Sequence, residues 1–300
     1  MVLQLQDVSK KFGTHTAVNQ LTIDIPEKGI FGFLGGNGAG KTTTFRMILG
    51  LLDQTRGNIR WNDKKITQKT SDYIGYLPEE RGLYPKLSVK EQLVYLGKLK
   101  GMDKHTAQTE LAAWLDQFHI NHYLNKRVEE LSKGNQQKIQ FISAVLHKPQ
   151  LLILDEPFSG LDPINVEMMQ SAVQELANQG TSIVFSSHQM NVVEELCESL
   201  CILRKGEAVV KGDLSEIKHS FGKKNLTIHA HEALDFLQDD DGIVNFKSLA
   251  NGCRVQIEDE TYSRHILQQL QERNIFIRKF EIEEPSLNDI FIEKVGETYE

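Results

Sequence analysis

The sequence is short of cysteines, of long apolar runs and of surplus positive charge, and each shortage excludes a class of protein. Its 300 residues include three cysteines, a sparse and odd number that indicates a reducing compartment rather than a disulfide framework. No stretch approaches the roughly 20 apolar residues that cross a bilayer, so any role at a membrane is expected to depend on a partner. The net charge of -7 makes a nucleic-acid partner unexpected, because such domains usually carry a basic surplus.

Apolar runs that end in polar residues predict a mainly parallel sheet covered by helices. Gly29–Leu34 has the pattern of a buried strand before a glycine-rich loop, and Thr42–Leu51 after the loop has the pattern of a helix. Leu151–Leu154 and Ser182–Phe185 are two further buried strands, each followed by polar side chains. Strands that alternate with helices are typical of an α/β fold, in which ligands bind at the carboxyl ends of the strands.

Two other regions differ from this pattern. A mostly helical section is predicted for about 88–146, where Ser88 and Glu91 form a capping-box pattern at a helix start. From about residue 224 the order of predicted elements is that of a small α+β, ferredoxin-like domain. In chain order, the predicted elements are a strand at Asn225–Ala230, a helix at His231–Gln238, strands at Ile243–Ser248 and Gly252–Glu258, a helix at Tyr262–Glu272, a strand at Phe276–Ile282 and a helix at Ser286–Val295.

A phosphate-binding loop is predicted directly after the first buried strand. Gly35–Thr42 matches the pattern G-x-x-x-x-G-K-[ST] between a strand and a helix, and the simpler alternative is a glycine-rich turn. Glycines let backbone N–H groups surround phosphates, and the helix N-terminus adds partial positive charge. Lys41 would reach the β- and γ-phosphates, and Thr42 would offer a hydroxyl to Mg²⁺. The predicted nucleotide contacts are Gly35, Gly36, Asn37, Gly38, Ala39, Gly40, Lys41, Thr42 and Thr43.

An acidic pair follows the apolar strand Leu151–Leu154. Asp155 can hold the water shell of Mg²⁺, and Glu156 can orient or deprotonate the attacking water. A structural strand-end pair is the alternative when the two residues are taken alone. Together with the phosphate-binding loop, the pair predicts a nucleoside triphosphatase.

Further motifs resemble those of ABC transporter ATP-binding subunits, in the family's order. Leu131–Gln137 resembles the signature usually written LSGGQ: Ser132 and Gly134 match, whereas lysine and asparagine stand at positions 133 and 135. The resemblance implies that Ser132 and Gly134 cap ATP on a second ATPase subunit. Ser159–Asp162 resembles the D-loop of the dimer interface, which adds Asp162 to the expected contacts.

The same resemblance assigns three more residues. His188 is similar to the family's switch histidine, and Phe12 lies where the family stacks an aromatic ring on adenine. Ile74–Glu80 aligns with the Q-loop, in which Glu79 replaces the usual glutamine and could meet Mg²⁺. The loop Arg81–Leu87 is where the family contacts its membrane subunit.

The resemblance implies a P-loop NTPase with a RecA-like core, an antiparallel β subdomain and a helical subdomain over residues 1–220. An accessory domain would occupy residues 224–300. We therefore expect an ATP- and Mg²⁺-dependent ATPase at the cytoplasmic face of the membrane. It would act with a separate transmembrane permease and a second ATPase subunit, and belong to the NatA-like exporter group.

Alternatives remain open from the sequence. A soluble ABC protein that acts on ribosomes or DNA would share the same motifs, although such members usually have paired ATPase units or long coiled coils. A P-loop kinase would share only the phosphate-binding loop and the acidic pair. The accessory domain could be a binding or dimerisation module.

Overall fold

The computed structural model describes residues 3–67, 70–80 and 82–296. The chain divides into two compact units, Met1–Gly212 and Asp213–Glu300. The predicted ATPase domain spans residues 1–220, whereas the first unit ends at Gly212, near the end of its last strand. Among the described helices, none is both long and apolar enough to cross a membrane.

The first unit contains nine strands and six helices in the described part of the chain, apart from short 3₁₀ turns. They are β1 (Leu3–Phe12), β2 (His15–Ile25), β3 (Ile30–Leu34), α1 (Lys41–Ile48), β4 (Arg56–Trp61), β5 (Ile74–Leu77), α2 (Val89–Leu99), α3 (Lys104–Gln117), α4 (Lys133–Val145), β6 (Leu151–Asp155), α5 (Pro163–Asn178), β7 (Ser182–Ser187), α6 (Met190–Leu196), β8 (Ser199–Arg204) and β9 (Glu207–Asp213).

The central sheet of this unit has the strand order β5-β6-β7-β3-β8-β9. The pairs from β5 through β8 are parallel. Strands β3, β6 and β7 are buried along their whole length, as expected for strands covered on both faces. The predicted parallel α/β core is therefore confirmed, and the loops after β3, β6 and β7 meet at one edge of the sheet.

A separate antiparallel sheet, β2-β1-β4, confirms the expected antiparallel subdomain. The helical section comprises α2, α3 and α4, and the predicted capping box at Ser88 and Glu91 is present at the start of α2. Its core includes Trp114 and Phe118, whose rings stack at 5.9 Å, and Phe141, which meets both rings edge-on.

Helix α1 ends earlier than the sequence predicted. The apolar pattern extended it to Leu51, but the helix stops at Ile48. Gly50 adopts a left-handed φ of 68°, and the N–H of Leu51 bonds back to the carbonyl of Arg46. This is the usual way in which a glycine ends a helix.

The second unit contains α7 (Leu214–Ser220), β10 (Lys224–Ala230), β11 (Ile243–Leu249), β12 (Gly252–Ile257), α8 (Tyr262–Glu272), β13 (Ile277–Glu283) and α9 (Leu287–Val295). Its antiparallel sheet has the order β11-β12-β10-β13. Helix α8 packs on one face of this sheet through Ile266 and Leu270.

One predicted helix of this unit is wrong. Residues 231–238 do not form an α-helix, and only a 3₁₀ turn is present at Asp235–Asp239. One turn is enough to bury Leu234 and Leu237. The following run of three aspartates and a glycine favours a turn, because Asp side chains compete for nearby backbone N–H groups.

All three cysteines are buried. Burial raises the pKa of the Cys201 thiol to about 12 and that of Cys253 to about 11. Burial also raises the pKa of Cys197 well above its usual value. The interpretation of these residues as buried structural thiols agrees with their positions.

Candidate nucleotide-binding site

A cleft at the carboxyl ends of β3 and β6 brings together most of the predicted site residues. Its lining comes from the first β-hairpin, the glycine-rich loop, the loop after β5 and the end of β6. The lining residues are Phe12, His15, Ala17, Gly36, Asn37, Gly38, Ala39, Gly40, Lys41, Thr42, Thr43, Glu79, Asp155 and Glu156.

The glycine-rich loop lies tightly against its neighbours. Gly40 immediately precedes α1 with a φ of 107°, and a Cβ there would lie 2.6 Å from the carbonyl oxygen of Ala17. At Gly35, a Cβ would lie 2.6 Å from the carbonyl oxygen of Leu203. Larger residues would push the loop away from β2 and β8, so these glycines allow it to curl around a ligand.

Lys41 is buried, and its ammonium group points into the loop. Its Nζ donates to the carbonyl oxygens of Gly35 at 2.6 Å and Gly36 at 3.4 Å. It also lies 3.4 Å from Oε1 of Glu156. A buried ammonium group beside a glycine-rich loop at a helix N-terminus is suited to a polyanion such as a triphosphate.

Asp155 is fully buried at the end of β6. Its Oδ1 accepts a hydrogen bond of 2.6 Å from the Ser186 hydroxyl, while Oδ2 has no hydrogen-bond partner among the described residues. Burial raises the pKa of this carboxyl, against the lowering effect of the Ser186 hydrogen bond and of the nearby Thr42 hydroxyl. An unpaired buried carboxylate oxygen near the Thr42 hydroxyl fits a hard cation such as Mg²⁺, which prefers oxygen ligands.

Glu156 is oriented by contacts on three sides. Its backbone has a left-handed φ of 51°, an uncommon conformation for a residue with a side chain. Its N–H donates to the Ser186 hydroxyl oxygen at 3.0 Å. Its carboxylate lies 2.9 Å from Nδ1 of His188 and 3.4 Å from Lys41, so it is held at the cleft beside the residue expected to bind phosphate.

Phe12, the residue predicted to stack on adenine, lies on the hairpin formed by β1 and β2. Phe12 is 49% exposed and pairs with His15 across the turn between β1 and β2. The Lys10 ammonium group lies 5.1 Å from the centre of the Phe12 ring. The half-exposed ring offers a surface for a purine, since every base has a stacking face.

Glu79 lines the cleft from the loop after β5, as the Q-loop alignment predicted, and its side chain is exposed. Among the described residues that line the cleft there are therefore three carboxylates, those of Glu79, Asp155 and Glu156, and one lysine. This excess of oxygen ligands suits a site in which a cation accompanies a phosphate ligand.

Five predicted site residues do not line the cleft. Two of them, Gly35 and His188, contact the lining residues Lys41 and Glu156; the other three lie elsewhere. Ser132 caps α4 and accepts from the N–H of Asn135 at 3.3 Å. Asp162 caps α5 and accepts from the N–H of Asn165 at 3.0 Å. Gly134 lies near both Leu161 and Asn165, so the signature and D-loop segments are neighbours on a surface outside their own subunit's cleft.

Three contributors to the site were not predicted from the sequence, and one of them is Ala17, which lines the cleft. The Ser186 hydroxyl bridges Asp155 and Glu156, and His15 lines the cleft beside Phe12. Ser186 could have been found only by pairing β6 with β7, in which it lies opposite Asp155.

Two protein-family patterns match the chain. The family described as "ABC transporter" matches residues 18–159. The family described as "ATP-binding protein DrrA1-3-like, C-terminal domain" matches residues 212–295, which is most of the second unit.

Curated relatives cover most or all of the chain. An uncharacterised ABC transporter ATP-binding protein of Bacillus subtilis, YhaQ, is 62% identical over 299 residues and covers 100% of both chains. The ABC transporter ATP-binding protein NatA of Bacillus subtilis is 33% identical, over 75% of this chain and 95% of its own. The bacitracin transport ATP-binding protein BcrA of Bacillus licheniformis is 31% identical, over 98% and 97%.

Solved structures give the same fold. The ATP-binding subunit of an ABC transporter is 30% identical with a TM-score of 0.69, over 74% of this chain and 94% of its own. The dimeric ATP-binding cassette MJ0796, bound to ADP and Pi, has a TM-score of 0.66 over 71% and 98%. Its identity of 23% shows likeness of fold alone.

Proposed function

The chain belongs to the family of ABC transporter ATP-binding proteins, and we propose that its cleft binds ATP with Mg²⁺ and hydrolyses the ATP to drive export. The observation that carries this proposal is the placement of Glu156. Its carboxylate contacts both Lys41 and His188 at the end of a buried strand, where a water could be held against a terminal phosphate.

The phosphates are bound by the glycine-rich loop. Backbone N–H groups of residues 36–43 and the N-terminus of α1 attract the negative charge. Lys41 exchanges part of its contact with the loop carbonyls for the β- and γ-phosphates. The adenine base stacks on Phe12, in the part of the cleft that the β1–β2 hairpin lines.

Thr42, Asp155 and Glu79 are the residues that would hold Mg²⁺. The free Oδ2 of buried Asp155 supports this assignment, because an unpaired buried carboxylate oxygen is costly without a ligand. When bound, Mg²⁺ neutralises charge that develops on the phosphate oxygens.

Glu156 acts as the general base. It takes a proton from the attacking water, whose oxygen bonds to the γ-phosphorus as the bond to the bridging oxygen of ADP breaks. Ser186 and His188 fix the position of Glu156. We also assign His188 the role of a donor to a γ-phosphate oxygen, because of its likeness to the switch histidine.

A second ATPase subunit completes each site. Ser132, Gly134 and Asp162 lie outside the cleft of their own subunit, which supports a head-to-tail dimer in which they face the partner's ATP. The dimeric state of MJ0796 belongs to a protein of the same fold and is in keeping with this arrangement.

An apolar groove on the first unit supports docking of a separate membrane permease at the cytoplasmic face of the membrane. Two of its side chains, Leu51 and Leu99, are 68% and 61% exposed. Burial lowers the pKa of His147 in this groove to about 4, so the imidazole is neutral at pH 7. The groove is lined by Leu49, Leu51, Ser71, Ile74, Tyr76, Leu96, Leu99, Lys100, Ser143, Ala144 and His147.

The loop 81–87 is expected, from the family resemblance, to contact the permease. Arg81 lies outside the described residues. Tyr84 and Leu87 in the same loop are 59% and 38% exposed. The export direction rests on likeness to BcrA, whose name assigns it to bacitracin transport.

Glu156→Gln tests the proposal. The amide keeps the shape but cannot accept a proton, so turnover of ATP should fall by roughly 10²–10⁴-fold. Phosphate release by the purified chain with its permease measures this, and equilibrium binding should show that ATP is still bound. Glu175→Gln, on the exposed face of α5, is the matched control. Turnover that survives Glu156→Gln would overturn the assignment.

A further inference from the structure

Helix α4 carries a buried glutamine whose side chain holds the loop that contains Glu79. The amide nitrogen Nε2 of Gln140 donates to the carbonyl oxygen of Pro78 at 2.9 Å and to that of Glu80 at 3.1 Å. These two carbonyls lie on either side of Glu79 in the chain. A single donor that binds both restricts the backbone at Glu79 and therefore the direction of its carboxylate.

The burial of Gln140 indicates that this contact is specific. Its side chain is 2% exposed, and its neighbours Ile139, Phe141 and Ile142 are fully buried. Its Oε1 has no hydrogen-bond partner among the described residues. A buried amide with an unpaired oxygen is less favourable than an apolar side chain of the same size, so packing alone gives no reason for a glutamine here.

A second glutamine of the helical section holds the same loop further along. Gln92 on α2 is fully buried, and its Oε1 accepts a hydrogen bond of 2.5 Å from the N–H of Tyr84. The loop that carries Glu79 is thus fixed to two helices of the helical section. Helix α4 is also the helix that Ser132 caps, so one rigid element joins the signature segment to the Glu79 loop.

We propose that Gln140 is a positioning residue that fixes Glu79 in the cleft and makes its position depend on helix α4. This inference rests on the proposed role of Glu79 in the ATP site. ATP itself is held by the glycine-rich loop and Lys41, which Gln140 does not contact in the described structure. Loss of Gln140 should therefore reduce kcat and leave ATP affinity nearly unchanged.

A double-mutant cycle tests the dependence on Glu79 in the full-length chain. Gln140→Met keeps the length of the side chain and removes the donor. We expect it to lower kcat about tenfold in the wild-type background and less than about twofold in the Glu79→Ala background, because coupled residues give non-additive effects. Affinity for a non-hydrolysable ATP analogue, measured by equilibrium binding, should change less than about twofold.

Gln117→Met is the matched control. Gln117 lies on α3 of the same helical section, and its Nε2 donates to Oε2 of Glu175 on α5 at 2.8 Å, which is not in the Glu79 loop. Gln117→Met should change kcat by the same factor with and without Glu79. If Gln140→Met does not fold, Gln140→Leu gives the same test, since it also removes the donor and places an apolar side chain in this buried position.

Three results would overturn the inference. Gln140→Met could lower kcat equally with and without Glu79, Gln117→Met could be equally non-additive, or Glu79→Ala could leave kcat unchanged. In each case turnover that is still blocked by Glu156→Gln would leave the proposed ATPase site standing. Turnover that survives Glu156→Gln would instead contradict the proposed function itself.

Discussion

The cleft and the paired N-termini of α4 and α5 both collect polar side chains at loop–helix junctions, but they use them differently. In the cleft, Asp155 is buried and keeps one carboxylate oxygen unpaired. At the helix termini, the side chains of Ser132 and Asp162 accept backbone N–H bonds and cap their own helices. A polar helix terminus therefore does not by itself mark a ligand site, whereas an unsatisfied buried oxygen needs a ligand to offset its desolvation.

Among the variants in the cleft and at the N-termini of α4 and α5, Lys41→Ala should weaken ATP binding most. Removing the buried ammonium group should weaken ATP affinity by roughly 10–100-fold, the range expected for a hydrogen bond to a charged group. Equilibrium binding of a fluorescent ATP analogue measures it. Lys148→Ala removes an exposed lysine that pairs with Glu110 and is the control. Unchanged affinity in the Lys41 variant would contradict the role of the loop.

Ser132→Ala should have a smaller effect that separates the two regions. Because Ser132 lies outside its own cleft, ATP affinity of the dilute subunit should stay the same, while turnover of the assembled transporter should fall about tenfold through loss of a contact to the partner's phosphate. The control Ser171→Ala removes an α5 hydroxyl that bonds within its own helix. Weaker ATP binding by the dilute Ser132 variant would mean that the signature acts within one subunit.

Asp155→Asn should raise the Tm of the ligand-free protein by a few degrees at most near pH 7.5. Burial raises the folded pKa of Asp155, so ionisation removes stability as pH rises through that pKa. The asparagine carries no such charge, and the difference in Tm should vanish below the unfolded pKa of about 3.9. Thermal unfolding across pH measures this effect.

Asp162→Asn is a control for which we expect the change in Tm to have the opposite sign. The N–H of Asn165 holds the pKa of Asp162 below its usual value, so its charge contributes stability above the unfolded pKa. That contribution is lost as pH falls through the folded pKa. The variant should therefore have a slightly lower Tm at neutral pH. A fall in Tm for Asp155→Asn at pH 7.5 would contradict the cost assigned to its burial.

Motifs within one loop were predictable from the sequence, because their chemistry depends on adjacent residues. The glycine-rich loop and the pair Asp155–Glu156 lie together in one cleft, as expected. Contacts between distant elements were not predictable. Ser186 and Gln140 carry no motif, and their partners appear only when β6 pairs with β7 and α4 packs against the loop after β5.

The errors in the secondary structure have local causes. Helix α1 was extended by its apolar pattern past Gly50, whose left-handed conformation stops it. The helix predicted for 231–238 had suitable apolar spacing, but Asp239–Asp241 and Gly242 favour a turn too close to its end. In both cases turn-forming residues outweighed hydrophobic periodicity.

The buried cysteines have a practical consequence for labelling. With pKa values of about 12 and about 11, Cys201 and Cys253 stay almost entirely as thiols at neutral pH, and only thiolates react readily with alkylating dyes. Burial also raises the pKa of Cys197, so this residue too stays as the thiol at neutral pH. A cysteine placed at the exposed position of Tyr84 would then be the reactive thiol, and a fluorophore there could follow the Glu79 loop through the ATP cycle with the native cysteines left in place.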